Sequence, residues 1–216
     1  MNKKQVIAAT AALIAGSASA YTVSVQNFVG ADASAVPVID NAGNPIGVGA
    51  GFVGLGTYAS APTDVVSALD LVLFGQGDTT FQSGLGVAGF VTRGRSAPIP
   101  EGTPNGPGQP VGDRLYVVFG NGADLASSDQ VAVYDSGLNF GTENAAGQGA
   151  LDVIIDASAL TSENLVVGSI ATGVDTGLGL AFDEGIQLAG GDVIPEPSTS
   201  LLAALAGLGL VARRRR

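Results

Sequence analysis

Apolar and polar positions alternate in short stretches along most of this chain, which is typical of β-strands rather than of helices. Residues 21–26 alternate with a period of two, which predicts a strand with one buried face. Residues 115–119 are apolar throughout, which predicts a strand covered on both faces. We therefore expect a core built from strands.

Nine such stretches, with a weaker tenth, are separated by turn residues at fairly regular intervals. They cover residues 21–29, 51–55, 65–74, 86–92, 114–119, 130–134, 151–155, 164–170, 177–182 and, last and weakest, 185–189. Turn signals lie between them at residues 41–45, Asn105-Gly106, Asn121-Gly122 and Ser136-Gly137, of which Asn121-Gly122 is the strongest hairpin or tight-turn signal. This spacing predicts a single all-β domain, either a sandwich or a barrel-like fold.

Three segments depart from the strand pattern. Residues 63–70 offer Thr63 or Asp64 as the cap of a helical turn, and residues 156–160 have a similar signal. Residues 93–113 contain five prolines and five glycines, so we expect no regular structure there. That segment is predicted to be a long surface loop, or a linker within the domain.

Residues 1–20 have the three parts of a secretory signal peptide. Lys3 and Lys4 form the charged start, residues 6–15 form an apolar stretch, and the small residues Ala18 and Ala20 frame a cleavage site for signal peptidase. A stretch of ten residues is too short to cross a bilayer as a helix. We therefore expect a helical signal peptide, removed after Ala20, rather than a membrane span.

Residues 194–216 combine an extended motif, an apolar run and a cluster of arginines. Pro195 and Pro197 keep the backbone extended around Glu196, so this stretch stays accessible to an enzyme. The apolar residues 201–212 predict a short helix. A helix over residues 198–212 rises about 22 Å against a hydrocarbon core of about 30 Å, so transient rather than permanent anchoring in the inner membrane is favoured. Translocation is expected to stop at Arg213, Arg214, Arg215 and Arg216.

In its motif, its order and its spacing, this segment resembles a PEP-CTERM sorting signal. In that family the Pro-Glu-Pro triad, commonly preceded by Val and followed by Ser, is recognised by a membrane-embedded exosortase that cleaves off the tail, in bacteria that make extracellular polysaccharide. Here Ser198 follows the triad and Ile194 replaces the usual Val. The resemblance implies processing at Pro195, Glu196 and Pro197. It implies nothing about residues 21–193, which resemble no family that we can name.

The segment between the two signals, residues 21–193, is strongly acidic. Six of the nine basic residues lie in the signals, which leaves Arg93, Arg95 and Arg114, whereas eighteen of the nineteen acidic residues remain, so its net charge is −15. Such a field repels phosphate backbones and disfavours nucleic acid as a partner. Solubility is the plainest reason for the acidity. The same field attracts divalent cations such as calcium, which can bridge to acidic polysaccharide.

Missing residue types exclude several kinds of enzyme. The chain has no histidine, cysteine or tryptophan, and residues 21–193 have no lysine, so triads with an imidazole, His or Cys zinc sites and Schiff-base chemistry are ruled out. Carboxylate chemistry of the glycosidase kind survives. Its nominal pairs are Asp152 with Asp156, Asp183 with Glu184, and Asp129 with Asp135. Spacings of this kind arise by chance in an acidic chain, so we expect no catalytic site.

Two glycine patterns have the form G-x-G-x-x-G, at residues 49–54 and 84–89. A dinucleotide site needs a helix directly after the glycines, and neither pattern is followed by a helical sequence. We therefore expect no nucleotide and no other required cofactor. The sequence predicts an exported structural or binding component of the cell envelope, outer surface or extracellular matrix, associated with exopolysaccharide. The alternatives are a carboxylate-driven glycan hydrolase and a calcium-dependent adhesin.

Overall fold

The computed structural model describes residues 20–28, 34–74, 88–97, 111–141, 148–177 and 181–191, and these ranges are mostly strand. The elements are β1 (Ala20–Gln26), β2 (Val38–Ile39), β3 (Phe52–Thr57), α1 (Val65–Ala68), β4 (Val72–Leu73), β5 (Thr92–Ala97), β6 (Arg114–Gly120), β7 (Gln130–Asn139), β8 (Gln148–Ile154), β9 (Leu165–Val167), β10 (Ser169–Asp175), β11 (Ala181–Gln187) and β12 (Ala189–Gly190). The predicted all-β class is confirmed.

The strands form three sheets. One has the order β5-β1-β8, a second has the order β10-β11-β2, and the largest has the order β12-β7-β6-β3-β4 with β9 also paired to β7. β1 with β8 and β11 with β2 are parallel, and the other pairs are antiparallel. The predicted signal-peptide helix and C-terminal apolar helix lie outside the described residues. Within the described ranges, no helix has the length and hydropathy that a membrane crossing requires.

The largest sheet is buried on both faces, and β6 shows this most clearly. Leu115, Val117 and Phe119 belong to the main core, which they share with Val23 and Val25 of β1. The alternate residues of β6 face a second apolar cluster, which includes Ala68 of α1 and Leu125. The sheet containing β1 therefore packs on one face of the largest sheet and α1 packs on the other. The prediction that residues 115–119 are covered on both sides is confirmed.

β1 is the middle strand of its sheet, and its side chains alternate as the sequence predicts. Tyr21, Val23 and Val25 are buried, whereas Thr22, Ser24 and Gln26 are half-buried. The strand runs antiparallel to β5 and parallel to β8 over its whole length. The predicted strand 21–29 ends earlier than expected, because the chain leaves the sheet at Asn27.

Asn27 is fully buried, and its amide joins β1 to two distant stretches of chain. Its Nδ2 donates to the backbone oxygens of Val36 (2.8 Å) and Gly89 (3.0 Å), and its Oδ1 accepts from the backbone nitrogen of Val91 (2.7 Å). Its own backbone nitrogen donates to Val91 O at 3.2 Å, and its oxygen accepts from Val36 N at 3.0 Å. Every polar group of this buried residue is therefore paired, as burial requires.

The predicted strand 65–74 is wrong in its first half. Residues Val65–Ala68 form a helical turn that Asp64 caps, in line with the alternative cap signal. The Asp64 carboxylate accepts from Ser67 N at 2.8 Å, while Ser67 Oγ accepts from Asp64 N at 3.2 Å. This reciprocal capping box outweighs the strand preference of two adjacent valines. A strand remains only at Val72–Leu73.

The boundaries at residues 86–92 and 93–113 are also wrong. β5 begins at Thr92 and continues to Ala97, where it pairs with β1 from Gln26 back to Tyr21. The strand Thr92–Ala97 contains one glycine and two arginines, so its sequence shows no alternation of apolar and polar residues. Its strand conformation is stabilised by pairing with β1 rather than by local preference. Residues 98–110, with their prolines, lie outside the described residues, and Asn105-Gly106 lies among them.

Two other expected elements are divided or displaced. The predicted strand 164–170 is two strands, β9 and β10, separated by Gly168, whose φ is 103°. A Cβ at Gly168 would lie 2.7 Å from the backbone oxygen of Gln187, so only glycine fits. The predicted strands 177–182 and 185–189 become β11 (Ala181–Gln187) and β12 (Ala189–Gly190).

The turn signals were right in one place and wrong in another. Residues 41–43 form the predicted turn, and residues 157–159 form a turn rather than a helix. Ser136-Gly137 lies inside β7, next to a register shift between β6 and β7, so it marks a bulge and not a chain reversal. Asn121-Gly122 does follow β6, but the connection to β7 covers residues 121–129 and is no two-residue turn.

Replacing Asn27 with Ala should destabilise the domain severely. The change leaves the oxygens of Val36 and Gly89 and the nitrogen of Val91 buried without partners, and each unpaired group costs about 1–3 kcal/mol. We expect a loss of about 3–6 kcal/mol in the free energy of unfolding, measured from urea titrations. Asn139→Ala, at an exposed position of β7, should change it by less than about 0.5 kcal/mol. A loss below about 1 kcal/mol in Asn27→Ala would contradict this role.

Candidate functional site

The carboxylate pairs named from the sequence do not come together in the described structure. Asp135 lies in β7 and Asp129 directly precedes that strand, six positions away, which is about 20 Å in an extended chain. Asp152 and Asp156 are four positions apart, or about 13 Å. Glycosidase carboxylates stand roughly 5–10 Å apart, so neither spacing fits. Adjacent strand residues such as Asp183 and Glu184 point to opposite faces of their sheet.

Several of these carboxylates bind groups of their own chain instead. The Asp152 carboxylate accepts a short hydrogen bond from Ser24 Oγ on β1, and Asp129 Oδ1 accepts from Asn121 Nδ2 at 2.6 Å. Asn121 Oδ1 in turn accepts from the backbone nitrogens of Asp129 and Gln130, each at 3.1 Å. Here the carboxylates organise loops and neighbouring strands.

A repeated arrangement, Asp followed three residues later by Ser, fixes two turns. In the connection between β6 and β7, Asp124 Oδ1 accepts from Ser127 N at 2.7 Å and Ser127 Oγ accepts from Asp124 N at 3.1 Å. Asp64 and Ser67 make the same reciprocal pair at α1. The side-chain and backbone hydrogen bonds from the serine lower the pKa of Asp64 and of Asp124 below the usual 3.8.

Asp156 fixes a related turn after β8. Its Oδ1 accepts from Ser158 Oγ at 2.6 Å and from the backbone nitrogen of Ala159 at 2.8 Å. The Ser158 hydroxyl is the larger cause, with the backbone bonds behind it, of a lowered pKa for Asp156. Asp64, Asp124 and Asp156 therefore each stabilise a turn of the chain.

Arg114 forms an ion pair beside the bulge in β7. Its Nε donates to Asp135 Oδ1 at 2.6 Å and its Nη1 donates to the Gly137 oxygen at 2.9 Å. Gly137 N also donates to Asp135 Oδ1 at 2.9 Å. The hydrogen bond that Arg114 donates to Asp135 raises the pKa of Arg114. Arg114 serves this bulge rather than a pocket for an anionic ligand.

The aromatic side chains belong to the core. Every tyrosine and phenylalanine in the described part of the chain is buried or half-buried. Tyr58 and Tyr116 stack edge to face at 5.1 Å, and Tyr58 Oη donates to the Ala68 oxygen at 2.7 Å. Burial, with smaller contributions from Tyr116 and Asp70, raises the pKa of Tyr58 well above its usual value. The described aromatic rings therefore offer no open platform for stacking on sugars.

Metal ligands are not grouped either. Among the described residues, no three acidic side chains lie close enough together to hold an ion. Within the described ranges, no cluster of acidic side chains therefore supports the calcium-dependent alternative.

The described chain ends at a strand edge, where β12 pairs with the start of β7. Ala189 lies opposite Val131, and Gly190 lies opposite Gln130. Gly191 N donates to the Asp129 oxygen at 3.0 Å, and Asn41 Nδ2 donates to the Gly190 oxygen at 2.6 Å. A Cβ on Gly190 would collide with the Asp129 oxygen, so the close approach requires glycine.

The segment that follows β12 in the sequence identifies the kind of signal that the chain carries. Residues 193–216 match the PEP-CTERM protein-sorting motif. The chain carries a PEP-CTERM sorting signal. The PEP-CTERM signal implies export to the cell envelope and processing by exosortase. No curated protein and no solved structure matches the chain.

The structure places the predicted processing residues in two groups. Ala20 is the first residue of β1, where it pairs with Gln148. The others lie outside the described residues: Ala18, Pro195, Glu196, Pro197, Arg213, Arg214, Arg215 and Arg216. Sequence reasoning missed the Asn41 contact with Gly190, because nothing in the local pattern near Asn41 points to residues so far along the chain.

Acid should weaken the capped turns. Because the pKa of Asp124 is lowered in the folded state, its contribution to stability is complete above the unfolded pKa, near 3.8, and is lost as the pH falls through the lower folded value. Melting temperatures measured between pH 5 and pH 2 should fall with pH. Asp124→Asn removes the group that titrates, and Ser127→Ala removes the hydroxyl group that helps to lower the pKa of Asp124. Each variant should reduce that fall in melting temperature. An unchanged pH dependence in both variants would contradict the assignment.

Proposed function

We propose that this protein is a non-catalytic component of the cell envelope or extracellular matrix, delivered by exosortase and associated with exopolysaccharide. The observation that carries the proposal is the sorting signal at residues 193–216, which follows a β domain described as far as Gly191. The scattered carboxylates support the non-catalytic part, because no pair named from the sequence has the spacing of glycoside hydrolysis.

In this proposal the chain is processed at both ends. Signal peptidase cleaves after Ala20, and Tyr21 becomes the first residue of the mature protein. The apolar residues 201–212 then hold the exported chain in the inner membrane for a time, with Arg213, Arg214, Arg215 and Arg216 on the cytoplasmic side. Exosortase recognises Pro195, Glu196 and Pro197 and releases the domain from that anchor.

The surface chemistry suggests how the mature domain meets polysaccharide. The described aromatic side chains are packed into the fold, so stacking on sugar rings is not the mode of contact. A net charge of −15 over residues 21–193 repels an acidic polymer unless cations lie between them. Divalent cations therefore bridge the carboxylates on the protein surface to those of an acidic exopolysaccharide. The contact is ionic and needs no binding pocket.

Changing Glu196 to Gln should stop removal of the tail. The substitution keeps the size of the side chain and removes the charge between the two prolines, where the enzyme reads the motif. Full-length protein expressed in a host with exosortase should keep the mass of its C-terminal tail, measured by intact-protein mass spectrometry. Asp192→Asn changes a neighbouring charge outside the triad and should leave processing intact. Normal tail removal in Glu196→Gln would overturn the proposed recognition.

Purified residues 21–193 should bind the host's exopolysaccharide without degrading it. We expect cosedimentation that calcium supports and a chelator abolishes, and no release of reducing ends over many hours. Release of reducing ends would favour the glycan hydrolase instead. A rise in melting temperature with calcium in the absence of polysaccharide would favour a calcium-dependent adhesin, because it would require a site within the protein.

A further inference from the structure

The Asn121-Gly122 pair lies in the connection between β6 and β7, which covers residues 121–129. An asparagine followed by glycine is chemically labile, because the glycine nitrogen can attack the side-chain carbon of the asparagine and no side chain on the glycine hinders the approach. The attack needs a glycine nitrogen that has lost its proton and an asparagine amide that is free to turn toward it. The contacts within this connection therefore determine whether the pair reacts.

Packing requires glycine at position 122. A Cβ there would lie 2.6 Å from both the backbone carbon and the backbone oxygen of Ser127, which is closer than side chains tolerate. The colliding atoms belong to the backbone, so no flexible group can move aside. The labile pair is therefore a consequence of how tightly this connection folds, and its protection has to come from the surrounding contacts.

The Asn121 amide is held at both of its polar atoms. Its Nδ2 donates to Asp129 Oδ1 at 2.6 Å, and its Oδ1 accepts from the backbone nitrogens of Asp129 and Gln130, each at 3.1 Å. The two donors on Oδ1 polarise the amide and by themselves favour attack on its carbon. Protection therefore depends on the fixed orientation of the amide and on the state of the nitrogen that would attack.

Ser128 binds the nitrogen that would attack. Gly122 N donates to Ser128 Oγ at 3.0 Å, and the same hydroxyl donates to the Asp124 oxygen at 2.7 Å. Ser128 is only 5% exposed, so water has little access to the proton that this bond holds. A nitrogen that keeps its proton and directs it at Ser128 is a poor nucleophile toward Asn121.

We propose that Asn121 is a deamidation site that the folded connection protects, with Ser128 as the protecting residue. When the connection opens, Gly122 N loses its proton and forms a bond to Asn121 Cγ. The bond from Cγ to Nδ2 breaks, and ammonia leaves with that proton. Water then opens the resulting succinimide at either carbonyl, which yields aspartate or isoaspartate at position 121.

The product does not fit the contacts that it replaces. Position 121 then carries a carboxylate in place of the Nδ2 group that donates to Asp129 Oδ1 at 2.6 Å. Two carboxylates placed so close together repel each other. Deamidation therefore weakens the closed form of the connection, so an opening that leads to reaction makes later openings more frequent.

The rate of deamidation at Asn121 tests this in full-length protein held in mildly alkaline buffer and followed by peptide mass spectrometry. Folded wild type should convert at least about tenfold more slowly than wild type in urea, because reaction requires opening. Ser128→Ala should speed conversion of folded protein about fivefold, which is the effect of one hydrogen bond. Asp129→Ala, at an exposed position, frees Nδ2 and should speed it at least about twofold.

Ser158→Ala is the matched control. It removes a serine hydroxyl that bonds Asp156 in the turn after β8, so conversion at Asn121 should stay within about twofold of wild type. In urea all of these variants should convert at the wild-type rate, because the contacts are then absent.

Equal rates in folded and unfolded wild type would overturn the protection, and absence of conversion at Asn121 in urea would overturn the site itself. Wild-type rates in both folded Ser128→Ala and folded Asp129→Ala would overturn the assigned contacts. Where Ser128→Ala folds poorly, Asp129→Ala and the comparison of folded with unfolded wild type decide the matter.

Asn121→Asp reproduces one of the products directly. It should lower the melting temperature at neutral pH by about 2–4 °C. Combining it with Asp129→Asn, which removes the second charge, should recover at least about half of that loss. An unchanged melting temperature in Asn121→Asp would contradict the destabilising effect of the product.

Discussion

The buried amide of Asn27 fastens the end of β1, where the chain leaves the sheet, to the chain before β2 and to the chain that leads into β5. It joins the end of β1 to Val36 and to residues 89–91, across 9 and as many as 64 positions of sequence. The chain has no cysteine, so no disulfide can do this work. A buried polar group with all of its partners in place admits few alternative arrangements, which gives the core a unique register as well as stability.

The acidic character of the domain creates an opposing constraint. Between the two signals, eighteen acidic residues face only three basic ones. The excess negative charges repel one another in the compact state. Some of the acidic residues stabilise the fold, because Asp64, Asp124 and Asp156 each accept hydrogen bonds that close a turn. Lowered pKa values follow from those bonds, so these carboxylates stay charged, and keep their turns closed, further into acid than an unbonded Asp would.

Local pattern predicted the fold where burial is regular along a single strand, as in β1 and β6. Predictions from local pattern were wrong where a hydrogen bond between nearby side chains, or pairing with a strand distant in sequence, determines the structure. Val65 and Val66 favour a strand, but the hydrogen bonds between Asp64 and Ser67 favour a helical turn. β5 exists because β1 pairs with it. The site was predictable in its motif and not in its setting: the triad is visible in the sequence, whereas the bond from Asn41 to Gly190 spans 149 positions.

The two proposed processing sites lie beside strands of very different strength, and this asymmetry matches the order of synthesis. Ala20 begins β1, whose Val23 and Val25 are fully buried in the main core, so cleavage there suits a stage before the sheet forms. The signal at the other end is synthesised last, when the domain that precedes it is already able to fold. β12, with two residues and no large side chain, adds little apolar burial to the fold that precedes the signal.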